Sequence, residues 1–361
     1  MSLLPLFVAL TAMNQTPQVP VWEDPNVVGI NKEPSRVTSW PYSTEKQALD
    51  GERTRSPYFK LLNGDWKYHW VGKPDDRPED FYKTSFDDTD WGTIPVPSCV
   101  ELQGYGIPIY TNIRYPYPTN PPFIDHRYTP VSSYRPNFEV PKDWDGRQTL
   151  IRFAGVYSAF HIWLNGEYVG YSEDSKGPAE FNLTKYLKPG KNLLAVEVYR
   201  WCDGSYLEDQ DMFRFSGIFR DVNLFSVANV QLRDFQITPD LDSNYKNGAL
   251  KVAALVRNLG KTEAKPKGVE IQLFDAQGKE VPLRQTETGS SANSRTQEIA
   301  TVAAGNEGKT EFKVWVDNPK KWSAEDPNLY TAVVTLLDEN QKPIDIRSCK
   351  VGFRKVEWKD G

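Results

Sequence analysis

Hydrophobic and polar residues alternate in short runs along most of this chain. Leu62-Asn63-Gly64-Asp65-Trp66-Lys67-Tyr68-His69-Trp70 alternates aromatic and polar side chains around an Asn-Gly turn signal, the period-2 pattern of a half-buried strand. Thr149 to Phe153, Ala159 to Leu164, Glu167 to Tyr171 and Leu193 to Arg200 repeat it, with Asn165-Gly166 placed to make a two-residue hairpin and Lys188-Pro189-Gly190-Lys191 another turn. Past a boundary near Ala228, Val230 to Thr238, Ala249 to Asn258, Gly268 to Phe274, Lys309 to Val316, Leu329 to Leu337 and Ile344 to Val351 are spaced like the strands of an immunoglobulin-like sandwich. Few runs have the 3.6 period of a helix, so the prediction is all-β: one sandwich over 58–228 and a second over 229–352. Residues 1–57 read as an N-terminal arm; Gln15 to Pro57, rich in Pro, Asn, Ser and charge, is predicted to be extended with little secondary structure. Gly289 to Gly308, long and polar, is predicted to be a mobile loop.

The 361 residues allow two or three units, so core size is not limiting. Charged residues make up 25% and the formal net charge is only -5, without a basic stripe, which argues against a nucleic-acid partner. The aromatic share is 13% with eleven Trp, suited first to sandwich cores and second to the apolar faces of sugars. Cys99, Cys202 and Cys349 are odd in number and far apart, which suggests neither a disulfide framework nor a Cys-based zinc site; His69, His126 and His161 are equally scattered. Leu3 to Met13 is apolar but too short to span a bilayer. It reads as a trimmed signal peptide, giving an exported or periplasmic protein; the alternative is a hydrophobic arm lying on the fold of a cytoplasmic one.

The densest chemistry lies in Arg200-Trp201-Cys202-Asp203-Gly204-Ser205-Tyr206-Leu207-Glu208-Asp209-Gln210-Asp211, which puts four carboxylates, two aromatic rings and a glycine between strand-like runs. One reading is a solvated loop whose acids are neutralised by Arg200, Arg214 and Arg220. The other is a site in which Asp203, beside Gly204, points an anionic oxygen at a hydroxyl-rich ligand or a hard cation. Glu208 and Asp211 could lie close together, but one loop would place both on the same side of a bound sugar. A glycosidase needs carboxyls on opposite sides of the scissile bond, so this pair is not expected to be catalytic.

The run from Arg200 through Phe215-Ser216-Gly217-Ile218-Phe219-Arg220-Asp221-Val222 closely resembles the signature near the end of the first domain of large bacterial β-galactosidases of glycoside hydrolase family 2. Ile109-Tyr110-Thr111-Asn112, Asn120-Pro121-Pro122-Phe123, Ser158 through Gly166, and Asn318-Pro319 through Leu329-Tyr330 share the resemblance, which covers roughly residues 30 to 361. It implies that the first sandwich is a jelly roll, that Pro34 to Tyr42 docks the arm, and that 353–361 leads into a catalytic barrel missing from this chain. No alternation of strands and helices that could build such a barrel is present. It implies further that Asp203 binds the galactosyl ring and a sodium ion and that Asn112 lines the same pocket. Both catalytic glutamates, and most magnesium ligands, would belong to the barrel. The expected substrates are galactosides such as lactose or galacto-oligosaccharides, and the complete enzyme is expected to be a homo-oligomer. Competing readings are a stand-alone carbohydrate-binding module and another family 2 activity such as β-glucuronidase.

Overall fold

The computed structural model describes residues 19–208 and 210–358. Leu3 to Met13, read as a signal-peptide remnant, lies outside the described residues, as do Asp209 and the last three residues of the expected lead-in. Nearly everything described is strand or loop. The one α-helix among the described residues is Glu45–Asp50, so no strand–helix alternation of a barrel is present there.

Two β-sandwiches follow one another. In the first, the larger sheet runs in the order Gly29–Ile30, Glu167–Ser172, Ala159–Leu164, Lys191–Tyr199, Val131–Arg135, Gly64–Val71, Gly92–Val96, and Asn137–Glu139 also pairs with Lys191–Tyr199. The facing sheet runs Ala179–Asn182, Gln148–Phe153, Val222–Val227, Phe59–Leu61. Alternation puts Phe160, Ile162 and Leu164 inward, where Ile162 pairs with Val196 and Phe160 with Val198. They meet Ile151, Phe153, Phe181 and Leu224 of the facing sheet in one buried core. Asn165 and Gly166 both have positive φ (55° and 90°), which the two-residue hairpin turn requires.

The second sandwich stacks Val230–Leu241, Gly248–Asn258, Glu307–Val316, Leu283–Arg284 and Ser291–Ala292 against a sheet ordered Ser294–Gln297, Gly268–Phe274, Tyr330–Leu337, Pro343–Val351. The mobile loop expected at Gly289 to Gly308 is thus corrected. Ser294–Gln297 pairs with Gly268–Phe274 and forms the edge of that sheet.

The arm is also more structured than expected. Thr44 caps Glu45–Asp50 by accepting from Gln47 N at 3.2 Å, and Gly51 ends the helix at φ 71°. The arm straps both sandwiches. On the first, Arg36 donates two bonds of 2.9 Å to Glu180, and the Trp40 ring stands edge-on to Phe59 at 4.9 Å. On the second, Tyr42 N bonds Ile346 O at 2.9 Å and Arg347 Nη1 bonds Ser39 O at 3.1 Å. Gly170 must be glycine where Gly29–Ile30 joins the sheet, because a Cβ there would lie 2.3 Å from Ile30 O.

Candidate functional site

The central strand Lys191–Tyr199 delivers the chain directly into the acidic loop, which begins with the 3-10 turn Asp203–Tyr206. Arg200 and Arg214 shape that loop from beneath. Arg200, fully buried, donates to Ile107 O (2.8 Å) and Arg214 O (2.7 Å), and its Nε lies 3.3 Å from the equally buried Glu101. Arg214 donates to Glu208 O (2.9 Å) and Thr111 O (3.0 Å), and its own N bonds Ile109 O (2.8 Å). The two guanidinium forks therefore pin the Ile107 to Asn112 stretch onto the acidic loop, and Arg220 donates elsewhere, to Lys176 O.

Asp203 is only 7% exposed, whereas an open pocket edge was expected for it. Its Oδ1 accepts from Gly204 N at 2.7 Å, and its carboxyl is hydrogen-bonded to that of Glu173. Ligand atoms of Glu173, Cys202 and Asp203 lie within 4.8 Å of one another. Glu173 follows the strand Glu167–Ser172 and accepts the Tyr171 hydroxyl. Burial pushes the Glu173 carboxyl up to about 8, helped by the Asp203 charge, and burial raises Asp203 as well. The arm covers this cluster: Trp22 stacks on Tyr199 at 4.1 Å, and Val21, Trp22 and Val27 pack around Tyr171 and Cys202. Glu23 is used up by Ile124 N and His126 Nε2, both at 2.8 Å.

With their shared proton lost, two adjacent buried carboxylates would suit a hard cation. Burial pushes the Cys202 thiol up to about 12, and the two carboxyls beside it are the oxygen donors that a hard cation would use. Asp203 and Glu173, a neighbour that sequence reading missed, are the residues that could hold a cation here. The available signal was the acid pair Glu173-Asp174 closing a strand-like run.

The outward-facing groups are different ones. Glu208 is held by Ser175, from its N (2.8 Å) and Oγ (2.5 Å), while Asp211 is exposed and accepts the Tyr110 hydroxyl. Different segments thus hold these two carboxylates. Asn112 is exposed, two residues beyond Tyr110, and its neighbour Thr111 is tied to the loop through Arg214. The Tyr110 ring lies 5.3 Å from Phe213, and both are more than half exposed. Asn112, Tyr110 and Asp211 are thus exposed, whereas Asp203 is buried beside Glu173. Ile107, Ile113 (89% exposed) and Leu207 (86% exposed) stand in solvent on or beside the Ile107 to Asn112 stretch and the acidic loop, and Leu102 is exposed as well.

Residues 59–228 match the family model described as glycosyl hydrolases family 2, sugar binding domain, and residues 230–354 match the model described as glycosyl hydrolases family 2. The chain is 41% identical over 347 residues to a β-galactosidase of Priestia megaterium, covering 95% of this chain and 32% of that protein. It is 40% identical over 353 residues to a β-galactosidase of Vibrio vulnificus, covering 98% of this chain and 33% of that one. The chain thus spans about a third of the length of the curated relatives it matches. Bacteroides uniformis β-glucuronidase 2, solved covalently bound to cyclophellitol-6-carboxylate aziridine, superposes with a TM-score of 0.65 at 21% identity, over 82% of this chain and 32% of that one. That likeness is one of fold. With consecutive models of one family over 59–228 and 230–354, the chain belongs to glycosyl hydrolases family 2.

Proposed function

We propose that this chain is the non-catalytic, sugar-binding N-terminal part of a β-galactosidase that hydrolyses terminal β-galactosides, and that its acidic loop forms one edge of the galactose pocket. The observation that supports the reading is the exposure of the apolar side chains Ile107, Ile113, Leu207 and Phe213 on the same two segments that carry Asn112, Tyr110 and Asp211. An apolar patch of this kind rimmed by polar residues is a surface awaiting a covering domain, and a catalytic barrel seated on it would close the pocket. In that pocket Asn112 offers an amide donor and acceptor to a sugar hydroxyl, and Asp211, oriented by Tyr110, offers a charged acceptor. Asp203 works from within: with Glu173 it holds a cation, sodium in the first instance, and supports the loop that carries Asp211. Two carboxylates would also suit a divalent ion.

On this reading the loop carboxyls Glu208 and Asp211 lie on one side of the sugar, so hydrolysis would need glutamates from the covering domain. The chain alone is expected to release no nitrophenol from a nitrophenyl β-galactoside at high protein concentration. Activity that survives repurification and disappears in Glu208→Gln would overturn this.

A further inference from the structure

A pocket of about 270 Å³ lies beside the segment that follows the acidic loop, walled by Tyr157, Met212, Phe213, Phe215 and Phe219. Cys99 and Lys176 complete its lining, and the Lys176 ammonium stands 5.0 Å from the centres of both the Tyr157 and the Phe219 rings. We propose that this pocket is a socket for a plug from the covering domain: an apolar side chain with a carboxylate beside it that pairs with Lys176. The inference rests on the covering domain proposed above and adds where that domain is gripped and by what chemistry.

The walls are held in place by the fold itself. A Cβ at Gly155 would lie 2.8 Å from the Phe219 ring, so only glycine lets that ring sit so close to the backbone. Arg220 lays its guanidinium over the same ring and donates to Lys176 O at 2.9 Å, which fixes the backbone that carries Lys176. Phe213 stacks on Phe215 at 5.2 Å and lies 5.3 Å from Tyr110, so the pocket is continuous with the exposed Ile107 to Asn112 stretch. Lys176, by contrast, is short of counter-charge. Among the described residues no carboxylate ion-pairs with it, and burial lowers its pKa. Glu208 is the carboxylate that offsets this most, but Ser175 N and Oγ hold its oxygens, and Arg220 and Arg214 add positive charge nearby. An acid brought to Lys176 gains a charge-assisted bond that the fold does not supply, and the aromatic walls favour an apolar neighbour for it. A small molecule would meet the same chemistry. A protein partner is favoured because the wall at Phe213 runs on into exposed apolar side chains, and because most of the length of the curated relatives lies outside the match.

Alkylation of Cys99 by N-ethylmaleimide can be timed by mass spectrometry in this chain and in the complete enzyme at the same pH. The ratio of the two rates measures protection and cancels the influence of the Lys176 charge on the thiol itself. Cys99 should react at least about tenfold more slowly in the complete enzyme. Lys176→Glu, which would set two carboxylates against each other, should abolish most of that protection, and Lys176→Arg should keep it. Equal rates in the two proteins overturn the proposal, as does protection that Lys176→Glu leaves intact. Protection that appears only when a galactoside is added also overturns it and makes the pocket a small-molecule site. Hydrolysis of a nitrophenyl β-galactoside by the same preparations separates the two readings: an active enzyme with unprotected Cys99 removes the socket alone, and protection in an inactive one removes the galactosidase reading alone.

Discussion

Asp203 and Glu173 share a buried space that cannot comfortably hold two negative charges, so one proton or one cation is needed there. The sign of the pH effect follows from the raised carboxyls. Between the ordinary carboxylate range and about pH 8 the folded state binds more protons than the unfolded chain, so stability falls as pH rises through that window and levels off above it. On the proposed reading a bound cation would replace the proton. Added magnesium or sodium is therefore expected to raise Tm more at pH 9 than at pH 6, and Glu173→Gln should remove most of the difference; an equal shift at both pH values would contradict the shared site. Asp203 was legible in the sequence because the acidic loop is continuous there. Glu173 was not, since only the pairing of Glu167–Ser172 and Lys191–Tyr199 with the same strand, Ala159–Leu164, brings it alongside. Asp203's burial was equally hidden, because it depends on an arm that packs Trp22 onto Tyr199.

Elements with strict alternation and a turn signal were the readable ones. Ala159–Leu164 and Gly268–Phe274 lie where the hydrophobic pattern puts them, and the Asn165-Gly166 hairpin joins Ala159–Leu164 to Glu167–Ser172. Ser294–Gln297 was unreadable because an edge strand paired on one side, with no fully buried position, carries no hydrophobic face to detect. The helix Glu45–Asp50 hid for another reason: it is barely two turns long, and its stability comes from docking Ala48 against Val333 and Ile346. The strap formed by the arm is open to test through Arg36, whose side chain is almost fully buried against Glu180. Arg36→Met is expected to lower unfolding free energy by roughly 2 kcal/mol in urea, with Glu180 left to the more distant Arg152 and Arg233. A loss below about 0.5 kcal/mol would mean that the strap is held by its apolar contacts alone.

At the scale of the whole molecule, the two sandwiches and their strap present one face built differently from the rest. Buried arginines hold its loops, which expose apolar side chains together with Asn112, Asp211 and Tyr110, while the Asp203–Glu173 pair is buried. The family resemblance in the sequence led to this face through Asn112 and the acidic loop, while the burial of Asp203 beside Glu173 needed three-dimensional packing. The most direct test is kcat/KM for a β-galactoside, measured with and without sodium, in the complete enzyme carrying Asp203→Asn. Losing a ligand of the cation that supports the sugar-binding edge should lower kcat/KM at least roughly tenfold and blunt the stimulation by sodium, with the fold retained. Full activity with the parent's sodium response would contradict the account and leave the acidic loop without a part in sugar binding.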